Sequence, residues 1–233
     1  VKHSRAMGNR MNSNALIGRL GLIMDYGKFD QRFPVDSAHQ IILCDEIERL
    51  HRTIQDSKHV IITGNPGSGK SWLIDEYIDK LENDASKVIH YNCFQSLKDK
   101  NSLDRIRVTS LYGNLVSQIV EQCPELIEYK NTTFGADKAE LENLLKHIDE
   151  DFYLVVDGLD HVSREYELHK DLISRSETEI ISELLEIHFP DNCYVLIASQ
   201  PIDELRDFKD DRYCVFEIEP WGAEQAKSLM ETF

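Results

Sequence analysis

The stretch that decides the fold runs from His59 to Leu81 and reads HVIITGNPGSGKSWLIDEYIDKL. It opens on a short apolar run, HVIIT, which predicts a buried strand ending at a glycine-rich turn. Apolar residues then recur at helical spacing, at Leu73, Ile74, Tyr77, Ile78 and Leu81. The sequence therefore predicts a strand, a glycine-rich loop and a helix in direct succession.

The loop between the strand and the helix, GNPGSGKS at residues 64–71, satisfies the pattern G-x-x-x-x-G-K-[ST]. Its glycines permit a tight turn whose backbone N–H groups point inward, and the positive end of the helix dipole adds to their attraction for phosphate. Lys70 can reach the β- and γ-phosphates, and Ser71 presents a hydroxyl to magnesium. The alternative, an accidental glycine-rich turn, does not explain the strand and helix on either side. The predicted nucleotide-binding residues here are Gly64, Asn65, Pro66, Gly67, Ser68, Gly69, Lys70, Ser71 and Trp72.

A second stretch, FYLVVDGLD at residues 152–160, predicts a strand that delivers a carboxylate to magnesium. A carboxylate at the C-terminal edge of a parallel strand faces the phosphate loop, so Asp157 and Ser71 are the predicted metal ligands. Asp160 could orient a water, contribute to the metal shell or cap a helix. His161 could accept a proton from water or serve only in packing. The predicted catalytic residues are Lys70, Asp157, Asp160 and His161.

The rest of the chain alternates between the two kinds of element. Apolar runs predict further strands at residues 87–93, 193–199 and 213–219. Amphipathic segments predict helices at 37–56, 102–122, 138–149 and 176–188, and Trp221 and Gly222 introduce a final one. This alternation predicts a parallel sheet that is covered on both faces.

Two segments are distinguished along the chain. Residues 1–34 have no steady period and are interpreted as a lead-in or linker that could include vector-derived residues, and residues 35–233 as one P-loop NTPase domain. The chain lacks an initiator Met and stops in mid-pattern for a helix. We therefore interpret it as a piece excised from a longer multidomain protein.

Composition limits the classes of function. With 41% hydrophobic and 29% charged residues, the 233-residue chain has the balance of a soluble globular protein. A net charge of −16 argues against an extended surface for nucleic acid, which needs clustered Lys and Arg. The five cysteines are scattered without a CxxC pair, which favours free thiols in a reducing cytoplasm over zinc or disulfides. No apolar run is long enough to span a bilayer, so no membrane partner is expected.

Three motifs together, GNPGSGKS, LVVDGLDHV and VLIASQP, resemble the nucleotide-binding domain of the STAND class of P-loop NTPases, close to its NACHT branch. The resemblance covers about residues 35–233. In that family the metal strand usually ends in D-G-x-D-E, which Asp157, Gly158, Leu159 and Asp160 match. His161 stands in place of the glutamate.

A second departure concerns the fourth strand, which in the family ends in a sensor, often an arginine before proline. Ser199, Gln200 and Pro201 occupy that place, so the predicted γ-phosphate sensor, Gln200, is neutral. The combination of DGLDH with SQP is reminiscent of bacterial antiviral members.

The resemblance implies an α/β three-layer sandwich with a five-stranded parallel sheet of ASCE order 5-1-4-3-2, which would bring Gln200 beside the phosphate loop. It implies ATP and Mg²⁺ as cofactors and a switch between an ADP-bound or empty monomer and an ATP-bound oligomer. The two departures, His161 for glutamate and a neutral Gln200 for a cationic sensor, predict that ATP hydrolysis is slow. Fused effector and sensor domains and an antiviral role belong to the same expectation. No N-K-x-D signature selects guanine, and the family favours adenine. Phe29, Arg32 and Phe33 could cover the base or belong to an ordinary linker.

Two other functions remain open from the sequence. The chain could be a free-standing P-loop ATPase or a small-molecule kinase, with Arg105–Arg107 or Arg164 as phosphate clamps. It could also be an interaction scaffold with a degraded pocket, although the intact phosphate loop argues against degradation. Arg164 could alternatively reach the phosphate of a neighbouring subunit, or form a local ion pair with Glu165 or Glu167.

Overall fold

The sheet has the predicted topology. The computed structural model describes residues 31–32, 44–130, 137–202, 205 and 212–218. Its strands are β1 (His59–Thr63), β2 (Lys87–Asn92), β3 (Phe152–Asp157), β4 (Cys193–Ser199) and β5 (Cys214–Glu217). They pair in parallel in the order β2-β3-β4-β1-β5, which is the order 5-1-4-3-2 read from the other edge. The predicted P-loop NTPase fold is confirmed.

Helices fill the connections between the strands. The α-helices of the described ranges are α1 (Cys44–Ser57), α2 (Lys70–Asn83), α3 (Ser102–Arg105), α4 (Val108–Gln122), α5 (Lys138–Leu145), α6 (Asp160–His169) and α7 (Ile180–Glu186). Short 3₁₀ helices lie at Pro124–Tyr129 and Arg175–Glu177. Three parts of the predictions lie outside the described residues: the predicted lead-in 1–34 apart from residues 31–32, the start of the predicted helix 37–56, and the final helix introduced by Trp221 and Gly222.

Hydrophobic residues are buried on both faces of the sheet, because neighbouring residues of a strand point to opposite sides. On β3, Val155 packs in a cluster with side chains of α1 and α2, whereas Val156 packs in a second cluster with α4, α5 and α7. Every residue of β3 and of β4 is buried. These central strands are therefore the middle layer of a three-layer sandwich, as the continuous apolar runs predicted.

The prediction of one helix over residues 102–122 is wrong. The helix is broken after α3, where Arg107 adopts an extended backbone with φ −87° and ψ 134° before α4 begins. Arg105, at the end of α3, is 1% exposed, and its guanidinium forms an ion pair with Asp99 and donates to the Asn92 carbonyl. This buried arginine holds α3 beside the end of β2, while α4 packs on the face of the sheet. Apolar spacing alone does not reveal a buried cation.

Other predicted elements are shorter than the sequence suggested. The helix over 138–149 stops at Leu145, although Ile148 beyond it is still buried. The helix over 176–188 shortens to α7, because Ser174 and Glu177 form a capping box that starts a separate 3₁₀ turn. The strands predicted at 87–93 and 213–219 are one and three residues shorter. Such differences concern element ends and leave the topology unchanged.

One buried carboxyl group in the helical layer leads to a testable expectation. Glu140 on α5 is fully buried, and among the described residues neither carboxylate oxygen has a hydrogen-bond partner. Burial raises the pKa of Glu140 to about 7, with the nearby Lys130 opposing the shift. The folded chain therefore binds an extra proton between about pH 4.5 and 7, and its stability falls as the pH rises through that window.

We expect Glu140→Gln to be more stable than the wild type at pH 8, with a difference that shrinks towards pH 5. The substitution should remove a slope of the unfolding free energy against pH of at most about 1.4 kcal/mol per pH unit, which is the value for one proton. Urea unfolding of both proteins from pH 5 to 8 measures it, with the exposed Glu128→Gln as the matched control. Parallel stability curves for the wild type and Glu140→Gln would contradict this expectation.

Candidate functional site

The phosphate loop connects β1 to α2 at the C-terminal edge of the sheet. Gly69, the residue before α2, has a φ of 88°, a left-handed conformation that favours glycine. The Lys70 side chain folds back over the loop and donates hydrogen bonds from Nζ to the Gly64 carbonyl at 2.7 Å and the Asn65 carbonyl at 3.0 Å. Burial lowers the pKa of Lys70, while the Asp160 and Asp157 carboxylates oppose the shift. The ammonium group therefore lies at the loop with carboxylates beside it.

The loop also forms one wall of a pocket of about 250 Å³. Gly64 and Ser68 are buried, the three residues between them are exposed, and Trp72 is half-buried in the first turn of α2. The opposite wall comes from the ends of β4 and β5. The lining residues are Gly64, Asn65, Pro66, Gly67, Ser68, Pro201, Glu217 and Ile218. The sheet order thus brings the predicted sensor segment beside the loop.

Asp157 ends β3 next to the phosphate loop and is 5% exposed. Burial raises the pKa of Asp157 to about 6, and hydrogen bonds from the Ser71 hydroxyl and the Gly158 N–H group oppose the rise. The two predicted metal ligands are therefore in contact. A carboxylate and a hydroxyl are hard oxygen donors, which fit Mg²⁺ when phosphate oxygens and water complete the shell. When bound, the ion would neutralise phosphate charge.

Asp160 links this edge of β3 to the end of β4. It begins α6 rather than capping it from outside, since Leu159 is the residue before the helix. Its Oδ1 atom accepts the Gln200 backbone N–H at 3.0 Å and lies 3.5 Å from the Ser199 Oγ. The carboxylate is thus held between the metal strand and the predicted sensor.

His161 turns towards the end of β2. Its imidazole stacks on the Phe94 ring, with centroids 3.9 Å apart and planes 10° apart, and its Nε2 atom lies 3.5 Å from Asp160 Oδ2. Burial lowers the pKa of His161, with Asp160 opposing the shift. Phe94 was not among the predicted site residues, although its place two residues after a parallel strand put it at the edge of the sheet that carries the site.

The arginines considered as phosphate clamps have other partners. Arg105 is buried in its ion pair with Asp99, and Arg107 pairs with Glu177. Arg164 forms the local ion pair considered for it, from Nη2 to Glu165 Oε1 at 3.3 Å.

Among the three lead-in residues suggested to cover the base, only Arg32 lies in the described ranges. Its guanidinium forms ion pairs with Asp75, Asp79 and Glu82 along α2. These carboxylates follow the phosphate loop by one to three helical turns. Arg32 therefore contacts the exposed flank of α2 in this structure.

Comparison with known families identifies the domain. The profile of the family described as nephrocystin 3, N-terminal, matches residues 37–200, which include the phosphate loop, the metal strand and the end of β4. The chain belongs to this family. The family is NACHT-like and related to STAND proteins, so the resemblance read from the three motifs is confirmed.

A solved structure agrees with the fold. The Walker-type ATPase PABY2304 of Pyrococcus abyssi superposes with a TM-score of 0.50 at 14% identity, over 88% of this chain and 60% of the archaeal protein. This chain therefore corresponds to less than two thirds of that protein. The Pif1 helicase of Candida albicans matches with a TM-score of 0.35 at 15% identity, over 78% of this chain and 41% of the helicase.

Neither a curated relative nor a membrane-spanning helix was found for the chain as described. The search of curated proteins gave no match. Within the described residues, no helix has both the length and the apolar character needed to cross a membrane.

Proposed function

We propose that this domain binds MgATP at the phosphate loop, hydrolyses it slowly and uses the bound nucleotide to control self-association. The observation that carries the proposal is the phosphate loop, where Lys70 Nζ is held at the Gly64 and Asn65 carbonyls and the neighbouring Ser71 hydroxyl donates to Asp157. In this proposal the loop N–H groups and Lys70 hold the phosphates, and Ser71 and Asp157 hold the ion. The adenine preference comes from the family resemblance.

Slow turnover is inferred from the groups around the γ-phosphate position. The His161 ring, which stands in place of the family's glutamate, is stacked on Phe94 and supplies no carboxylate to activate water. Gln200 supplies no positive charge where related proteins often have arginine. Losing a cationic donor in phosphoryl transfer costs on the order of 10³-fold in rate. A domain with these groups is suited to remain in the ATP-bound state for long enough to assemble.

Assembly and defence signalling extend the proposal. The family resemblance supports an ATP-bound oligomer joined to effector and sensor domains in the full-length chain. The DGLDH and SQP motifs support an antiviral role for that protein in the cytoplasm.

The kinase alternative is less favoured. A kinase needs cations that hold the transferring phosphoryl group or the acceptor. Arg105, Arg107 and Arg164 were the candidates, and each is engaged by a carboxylate of the domain. Transfer of the γ-phosphate to a metabolite instead of water would restore this alternative.

The test combines three measurements on one preparation of the 233-residue chain. Calorimetry gives the affinity for ATP, ADP and GTP with Mg²⁺, phosphate release gives turnover, and light scattering gives the mass with each nucleotide. We expect ATP to bind more tightly than GTP, turnover to be slow, and the mass at least to double with ATP but not with ADP. Rapid turnover by a monomer would refute the switch, and absence of nucleotide binding would refute the proposal as a whole.

A further inference from the structure

Phe94 joins two elements that carry the site. It follows β2 in the chain, and His161 stacks on its ring from the first turn of α6. One helical turn further along α6, the Arg164 guanidinium lies 4.9 Å from the centre of the same ring. Stacked aromatic pairs and cation–π contacts of this kind each stabilise their arrangement by about 0.5–1.5 kcal/mol. The Phe94 ring is therefore held by two side chains of α6.

The backbone at Gly158 makes this contact possible. Gly158 has a φ of 80°, and a Cβ atom built there would lie 3.3 Å from the Phe94 nitrogen and 3.6 Å from His161 Cδ2. A Cβ atom would crowd the Phe94 backbone nitrogen and make ordinary contact with His161, and the positive φ would strain any residue other than glycine. The glycine of the D-G-x-D motif thus has a local reason here, since it leaves room for Phe94 against the start of α6.

The nitrogens of His161 are poorly placed for a proton acceptor. Nδ1 is buried, and no described residue gives it a hydrogen bond. Nε2 lies 3.5 Å from Asp160 Oδ2, whereas the Gln200 N–H donates to the other oxygen of that carboxylate. Asp160 is therefore confined from two directions, by the end of β4 at one oxygen and by the stacked imidazole at the other.

We propose that Phe94 and His161 form a positioning pair that fixes Asp160 as the water-orienting carboxylate, so that His161 is not the proton acceptor. This inference rests on the proposed ATP hydrolysis. In that reaction the water oxygen bonds to the γ-phosphorus while the γ-phosphorus–oxygen bond to ADP breaks, and the protons of the water leave on the phosphate product. Asp160 accepts a hydrogen bond from the water and aims it, and the aromatic pair prevents the carboxylate from swinging away.

The test compares substitutions that keep the stack with substitutions that remove it. We expect Phe94→Leu to lower kcat for MgATP about three- to tenfold with KM nearly unchanged, because the stack orients Asp160 without contacting the nucleotide. Phe94→Tyr should restore kcat to within about twofold, since stacking is retained. His161→Phe, which stacks but cannot accept a proton, should lower kcat by less than about fivefold and leave the shape of its pH profile unchanged. Leu97→Ala is the matched control, because Leu97 is 87% exposed in the same connection.

The possible outcomes separate this proposal from the proposed function. If His161→Phe instead slows turnover by about 100-fold or more and flattens the pH profile, His161 is the base and the positioning role is overturned. An unchanged turnover rate in a folded Phe94→Leu protein would overturn it as well. Binding of MgATP with no turnover by the wild type would overturn it while leaving nucleotide binding intact. Failure of the wild type to bind MgATP would refute the proposed function itself.

Discussion

Replacing Lys70 with alanine is expected to weaken MgATP binding by about 100-fold or more and to abolish measurable turnover. A charge-assisted contact of this kind contributes about 1.5–3 kcal/mol, and Lys70 is expected to make more than one with the phosphates. The loss of affinity should depend on how many phosphates the nucleotide carries. Because Lys70 reaches the β- and γ-phosphates, Lys70→Ala should weaken ATP and ADP far more than AMP.

The Lys70→Ala domain should remain folded. In the unliganded domain the Lys70 ammonium donates to the carbonyls of Gly64 and Asn65, and its burial already disfavours the charge. Thermal unfolding without nucleotide should therefore differ little from that of the wild type. Lys80→Ala is a suitable control, because Lys80 lies on the same helix in a surface ion pair with Asp84. An ATP affinity within about threefold of the wild type, measured by calorimetry, would contradict the assignment of Lys70.

The sequence predicted the fold well because each strand and its connection carry their own signal. HVIIT, the glycine loop and the stripe from Leu73 to Leu81 are local features, and all five apolar residues of that stripe are buried on α2. The strand order came from the family resemblance, because local patterns do not state which strands are neighbours. The fully buried β3 and β4 then follow, since central parallel strands are covered on both faces.

The parts that the sequence did not predict depend on contacts between distant residues. The break after α3 follows from burial of Arg105 between Asp99 and the end of β2, and a charged residue in a helical pattern normally indicates a solvated face. The stack of His161 on Phe94 joins residues that are far apart in the chain, and it requires the left-handed turn at Gly158. A list of motif residues contains His161, but it does not state which way the imidazole points.

Asp157→Asn is expected to remove the dependence of ATP binding on Mg²⁺ and to lower turnover by about 100-fold or more. A bound metal ion supplies several kcal/mol of charge stabilisation to a phosphoryl transition state, and asparagine is a much weaker ligand than a carboxylate. The measurement is the shift in melting temperature caused by ATP, with and without Mg²⁺. For the wild type, Mg²⁺ should enlarge the shift, whereas for the variant the two shifts should coincide.

The same substitution should make the unliganded domain more stable at pH 8. Burial raises the pKa of Asp157 from 3.8 to about 6, so the folded chain binds more protons than the unfolded chain between these values. Stability therefore falls as the pH rises through this window and stays lower above it. Asparagine carries no charge to desolvate, and its oxygen can still accept from Ser71 and Gly158. The gain should disappear towards pH 4, and the exposed Asp151→Asn at the other end of β3 should show no such gain.

If Asp157→Asn raises the stability of the empty domain but impairs Mg²⁺-dependent nucleotide binding, Asp157 acts as a metal ligand and not only as a structural residue. If Asp157 served only to end β3, its replacement would cost stability and affect nucleotide binding indirectly, so both properties would fall together. If it holds the metal ion, the cost of burying its charge is present in the empty domain and is offset when Mg²⁺ and phosphate arrive. A variant that melts higher at pH 8 yet no longer responds to Mg²⁺ would therefore assign the carboxylate to the metal. A variant that melts lower and retains the response would exclude that role.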